Sequence, residues 1–114
     1  MKNSSKFLAG DIILIAYPFT DLQGRKIRPA LVIRDQKDED LLLAPISTTV
    51  HRTQNDTLLK EEDYEGTPLP VLSCLRHEKL FTLSSGLVLK KVSRLEKKSM
   101  TSIRQKIASF IIAS

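Results

Sequence analysis

From Gly10 to Val92 the chain is a series of short apolar runs, each bounded by turn-forming residues, and no helical periodicity occurs before Glu96. Runs of this length flanked by Gly, Pro, Asn or Asp read as strands, because a helix buried on all sides needs more than ten residues. "DIILIAY" predicts a strand over Asp11 to Tyr17. "PFTDLQGRKI" carries Pro18, Asp21 and Gly24 without periodicity and reads as a loop of about ten residues. "RPALVIR" is a second strand, with Pro29 at its start where no ladder hydrogen bond is yet required. "DQKDED" turns the chain and "LLLAPIS" is a third strand. With no helix between them, these three form an antiparallel meander.

A short strand near Thr57 to Lys60 follows, then an acidic loop, "EEDYEGTPLP". A further strand runs from Val71 to about His77, and "GLVLKKV" is the last. From Glu96 to Ile112 the period changes. Met100, Ile103, Ile107, Phe110 and Ile111 recur at three and four, the stripe of an amphipathic helix. Lys97 and Lys98 in its first turn oppose the helix dipole unless an acidic group lies nearby. The fold class that hides its edges at this length is mainly β: a small SH3-like antiparallel barrel of five to seven short strands with a C-terminal amphipathic helix. The 114 residues are expected to form a single domain, barrel about 9–92 and helix about 96–112.

The formal net charge is +5, and its distribution is uneven. Eight of the thirteen acids lie in two clusters, Asp35 to Asp40 and Glu61 to Glu65, so the remainder is strongly basic. A basic body suits a polyanion, whose counterions Lys and Arg displace. The one cysteine, Cys74, rules out an intramolecular disulfide and is expected in the core. Neither a signal peptide nor a membrane-length apolar run is evident, which points to the cytoplasm. No metal or other cofactor is expected.

"GDIILIAYPFTDLQGRKIRPALVI", then "APIST", then "VLSCLRHEKLFTL", then a terminal helix, resembles the MazF/PemK family of toxins from type II toxin–antitoxin pairs over about residues 9 to 112. The resemblance implies a homodimeric, metal-independent endoribonuclease that cuts single-stranded RNA and is silenced by a cognate antitoxin. Such cleavage uses the 2′-hydroxyl as nucleophile, and needs a base for its proton, an acid for the leaving oxygen, and cations over the transition state.

The residues fit those needs. Arg28 is held extended by Pro29 at the mouth of its strand and offers a planar fork for phosphate. Ser47 stands directly after the third strand, where the family places a Ser or Thr. Arg76 and Glu78 match the arginine and acid to which PemK-type members assign acid and base roles. Residues i and i+2 of a strand share a face, so both point one way and His77 the other. The family's acid is usually aspartate, and Glu78 reaches one methylene further. Lys26, Thr48, His51, His77 and Lys79 complete the expected RNA contacts. Tyr17, Phe19 and Tyr64 are candidates for base stacking, and Phe81 and Leu83 for core or dimer contacts. The same fold also serves gyrase-binding toxins of the CcdB type, which need no catalytic arginine, and a non-catalytic RNA-binding barrel.

Overall fold

The computed structural model describes residues 7–17, 26–35, 38–48 and 56–113. Among the described residues seven strands are followed by one helix: β1 (Asp11–Tyr17), β2 (Lys26–Asp35), β3 (Asp40–Ser47), β4 (Asp56–Leu59), β5 (Ser73–Arg76), β6 (Phe81–Ser84), β7 (Val88–Arg94) and α1 (Lys97–Ile112). All pairings are antiparallel, in the order β4-β5-β3-β2-β1-β7, with β6 on β3. β1, β2 and β3 form the expected meander. Strand β3 changes partner along its length: Asp40 to Leu43 pair with β6, and Ile46 and Ser47 with β5.

The central strands read as unbroken apolar runs because both faces of the sheet are covered. On one face Ile12, Leu31, Ile33, Ala44, Ile46 and Leu75 pack with Met100, Ile103 and Ile107 of α1. On the other, Ile13, Ile15, Ala30, Val32, Leu41 and Leu43 form a second cluster against Phe81, Leu83 and Val88. Each fully buried Ile or Leu contributes about 1.5–3 kcal/mol of transfer free energy, so the two clusters together fix the register of β1, β2 and β3.

The architecture is the expected one, with its sheet not closed by a ladder. A single bridge between Tyr64 and Leu95 spans the gap between the β4 and β7 ends. Around it the Glu65 N–H donates to the Arg94 carbonyl (2.8 Å), the Glu96 N–H to the Asp63 carbonyl (2.8 Å) and the Ser93 hydroxyl to the Thr67 carbonyl (2.6 Å). The acidic segment is therefore structural. Its first residues form a 3-10 turn, Glu61–Asp63. The Asp63 carboxylate accepts from the Ser99 hydroxyl at 2.8 Å, which puts an anion beside the first turn of α1, where Lys97 and Lys98 lie.

Four details differ from the sequence reading. Strand β2 begins at Lys26, two residues earlier, because Ile27 and Lys26 still pair with Ala16 and Tyr17. Pro29 thus lies inside the strand, close to where the β2–β3 ladder ends at the pair Ala30 and Pro45. The strand expected from Val71 is only Ser73–Arg76, with Val71 and Leu72 exposed, and the separate strand β6 was not anticipated. The helix stripe is narrower than expected: Phe110 and Ile111 are exposed, and the last turn meets the sheet through the Phe110 ring, edge-on to His77 at 6.2 Å.

Gly10 and Asp11 hold the start of β1. Gly10 has φ +101°; its N–H donates to the Val32 carbonyl (2.8 Å) and its carbonyl accepts from Leu95 (2.9 Å). A Cβ there would lie 3.4 Å from Met100 Cγ. Gly10→Ala is expected to lower the unfolding free energy in urea by about 1–3 kcal/mol. Gly86→Ala, whose Cβ would meet only Ser84 Oγ at 3.6 Å, should change it by well under half of that.

Candidate functional site

The site is built on the sheet face opposite α1. Strict alternation along β2 puts Arg28 on the face of Ala30 and Val32, and alternation along β3 puts Ser47 with Leu41 and Leu43. The ladder pairs Ala30 with Pro45, so two residues further along each strand Arg28 and Ser47 stand at the same level on neighbouring strands. Ser47 pairs in turn with Cys74 of β5. Arg76, two residues on from Cys74, shares that face. This half of the face is polar where the other half is the second apolar cluster. Arg28 is half-buried, and among the described residues no acid pairs with it.

Arg76 is held between two carboxylates. Asp56 of β4 lies directly opposite it in the ladder, with Oδ1 2.9 Å from Nε. The Nη2 group donates to Glu78 Oε2 at 2.5 Å. Strand β5 ends at Arg76, and the Lys79 N–H donates to the Arg76 carbonyl at 3.1 Å, closing a turn through His77 and Glu78. Arg76 and Glu78 therefore meet through that turn, without the strand continuing between them. Burial alone pulls the Arg76 pKa down, but the hydrogen bond and charge of Glu78 and the charge of Asp56 outweigh it and the net direction is up. Arg76 is a fixed cation. The second carboxylate oxygen of Glu78, Oε1, is buried and has no hydrogen-bond partner among the described residues.

His77 points away from this cluster, as alternation requires, and is buried under α1. Its Nδ1 lies 3.5 Å from the Thr57 hydroxyl, which the Lys106 ammonium also approaches at 3.5 Å. Burial holds its pKa below the usual 6.5; the Lys106 charge acts the same way, while Glu78 and Asp56 pull against it. The expectation of His77 as an RNA contact therefore meets a ring packed between β4, β5 and the helix. Lys79 and Thr48 are exposed. His51 and the side chain of Lys26 lie outside the described residues, as do Phe19 and the Tyr17 ring. Tyr64 is part of the core, and burial raises its pKa; it offers no face for stacking. Cys74 is buried, as expected. Asp56 was not singled out in the sequence, because only the β4–β5 register brings it to Arg76. Among the described residues no group of three His, Cys, Asp or Glu is placed to hold a metal, and no helix is long and apolar enough to cross a membrane.

This fold is that of MazF-type toxins. A MazE–MazF structure from Deinococcus radiodurans matches with TM-score 0.72 over 97% of this chain and 100% of that one, at 15% identity. A Mycobacterium tuberculosis MazF toxin matches with TM-score 0.69 over 91% and 99% at 16% identity. An endoribonuclease from mycobacterial species, solved in complex with its cognate antitoxin, matches with TM-score 0.69 over 94% and 97% at 14% identity. No curated protein matches the chain. The family model of PemK-like, MazF-like toxins of type II toxin–antitoxin systems matches residues 8–111, and the chain belongs to that family.

The His77 environment gives a pH dependence. Unfolded, the ring titrates near 6.5; folded, it titrates lower. Below about pH 6.5 the unfolded chain takes up a proton that the folded ring refuses, so the stability is complete above that pH and is lost as the pH falls toward the lowered value. Urea unfolding followed from about pH 7.5 to about 5 should show this loss, and His77→Gln should flatten it.

Proposed function

We propose that the chain is a metal-independent endoribonuclease that cleaves single-stranded RNA, acting as the toxin of a type II pair in the cytoplasm. The observation that carries this reading is the convergence of Arg28, Ser47, Arg76 and Glu78 on the face opposite the helix, over strands β2, β3 and β5 and the turn that follows. The names of the solved relatives, an endoribonuclease with its cognate antitoxin and MazE–MazF complexes, support the same activity and an antitoxin partner. The exposed apolar residues Leu87, Leu89, Ile111 and Ile112 support a homodimer.

In this mechanism the Glu78 carboxylate takes the proton of the 2′-hydroxyl, and the 2′-oxygen attacks the adjacent phosphorus. The bond to the 5′-oxygen breaks, leaving a 2′,3′-cyclic phosphate and a 5′-hydroxyl whose proton comes from solvent. Arg28 and Arg76 lie over the phosphoryl oxygens, where charge grows in the transition state, and the Ser47 hydroxyl donates to one of them. Arg76 contributes charge and orientation. The two carboxylates that hold it as a cation disfavour the proton-donor role assigned to its counterpart by resemblance. A substrate without a 2′-hydroxyl has no nucleophile and is not cut.

Incubation with a long single-stranded RNA in EDTA is expected to yield new 5′-hydroxyl ends at defined sites. Arg28→Ala should lower the rate by roughly 100-fold or more, the scale of one lost transition-state donor. Intact RNA together with inhibition of gyrase supercoiling would sink the reading. For the assembly, sedimentation at micromolar concentration should give about twice the chain mass of 12.9 kDa, and Ile111→Glu with Ile112→Glu should shift it toward one chain; a single-chain mass for the unmutated protein removes the dimer.

A further inference from the structure

Asp56 has no role in the proposed mechanism, yet its Oδ1 lies 2.9 Å from Arg76 Nε. It opens β4 directly opposite Arg76, and its side chain is 5% exposed against 17% for Arg76. A buried carboxylate is costly unless something compensates it, and the Arg76 guanidinium, 2.9 Å away at Nε, does so.

The geometry of the guanidinium gives this contact a consequence. Its five N–H groups lie in one rigid plane. Asp56 Oδ1 lies beside Nε as an ion contact without an aligned hydrogen bond, and Glu78 takes a hydrogen on Nη2. Nη1, which neither of these contacts uses, is left for a phosphate. Contact with Glu78 alone would let the plane swing about that one bond. It would also let Arg76 close a bidentate pair on both oxygens of Glu78, the preferred geometry of arginine with a lone carboxylate. That pair would take up a further guanidinium N–H that is otherwise left for the phosphate.

We propose that Asp56 is a positioning residue of the cleavage site: from the facing strand its charge holds the Arg76 guanidinium against swinging about the Glu78 bond and keeps Nη1 directed to the scissile phosphate. The inference rests on the ribonuclease reading given above. It predicts an unusual kinetic signature. Asp56 is a negative group in a site for a polyanion, so removing its charge does not weaken RNA binding, while the loss of aim slows the chemical step.

The test uses the full chain and a labelled single-stranded RNA that the unmutated protein cuts. Asp56→Asn is expected to lower kcat by roughly 10- to 100-fold, the scale of an ångström-sized misplacement, with KM unchanged or lower. Asp56→Glu should recover at least about fivefold over Asp56→Asn, because it restores the charge from one methylene further away. Loss of fold alone would lower the active fraction in proportion to the shift in melting temperature, and it gives no such rescue. A kcat for Asp56→Asn within about twofold of the unmutated protein overturns the proposal, as does a raised KM at constant kcat. If Asp56→Asn does not fold, Asp56→Glu is read instead: kcat reduced more than about twofold at unchanged KM supports positioning, and a smaller change overturns it. Unmutated protein that cuts no RNA defeats the ribonuclease reading and this one together; equal cutting by the unmutated and Asp56→Asn proteins defeats this one alone.

Discussion

The fold depends on the compensation of one buried carboxylate, Asp11 at the head of β1. Its Oδ2 accepts from the Leu8 N–H at 2.9 Å, while Oδ1 faces the Arg94 guanidinium and, at 3.3 Å, the Lys91 ammonium. An ionised carboxylate that is almost fully buried is tolerated only with such partners, and both cations come from β7. The pair β1–β7 contains two register shifts, and the ion contacts pin it where the ladder is irregular. Arg94 extends the joint further. Its Nε reaches Glu65 at 3.3 Å and its carbonyl takes the Glu65 N–H, so the segment beyond β4 is tied to the end of β7. The open gap in the sheet is bridged at the point where Asp11 fixes β7.

This joint clarifies the opening Gly-Asp pair. In the sequence it opens the first stretch that carries the family resemblance. Its role here is architectural: Gly10 supplies a left-handed turn against Met100, and Asp11 supplies the charge that orders β7. The catalytic candidates lie elsewhere, at the ends of β2, β3 and β5. Those ends were legible because each is marked locally: Arg28 by the proline after it, Ser47 by its place after an apolar run, Arg76 and Glu78 by their spacing.

What the sequence could not reveal is long-range register. Asp56 and Arg76 are partners only because Leu58 pairs with Cys74 and Thr57 with Leu75, and nothing local to "NDTLL" fixes that alignment. The same holds for β6: "FTLS" is too short and too mixed to declare itself, and it becomes a strand because the first half of β3 needs a partner on the edge that β5 leaves uncovered. Helix α1 illustrates the opposite error. Its periodicity is real through Ile107, but a stripe in sequence says only which residues could be buried, and the sheet beneath meets the last turn at the Phe110 edge alone.

The charge pattern of the candidate site sets its two arginines apart. Arg28 has no acid partner among the described residues, so in the proposed site it is the group open to an incoming phosphate without competition. Arg76 is neutralised locally by Asp56 and Glu78 and adds little to the attraction of RNA at a distance. In the proposed site its guanidinium matters at contact range, where hydrogen-bond geometry outweighs net charge. A site with two unpaired arginines would bind any polyanion more strongly, in ground and transition states alike, and uniform binding of that kind does not raise kcat. In the proposed site, placing carboxylates on one of the two cations shifts its contribution from binding toward orientation, so that it would act on the reacting phosphate rather than on the chain as a whole.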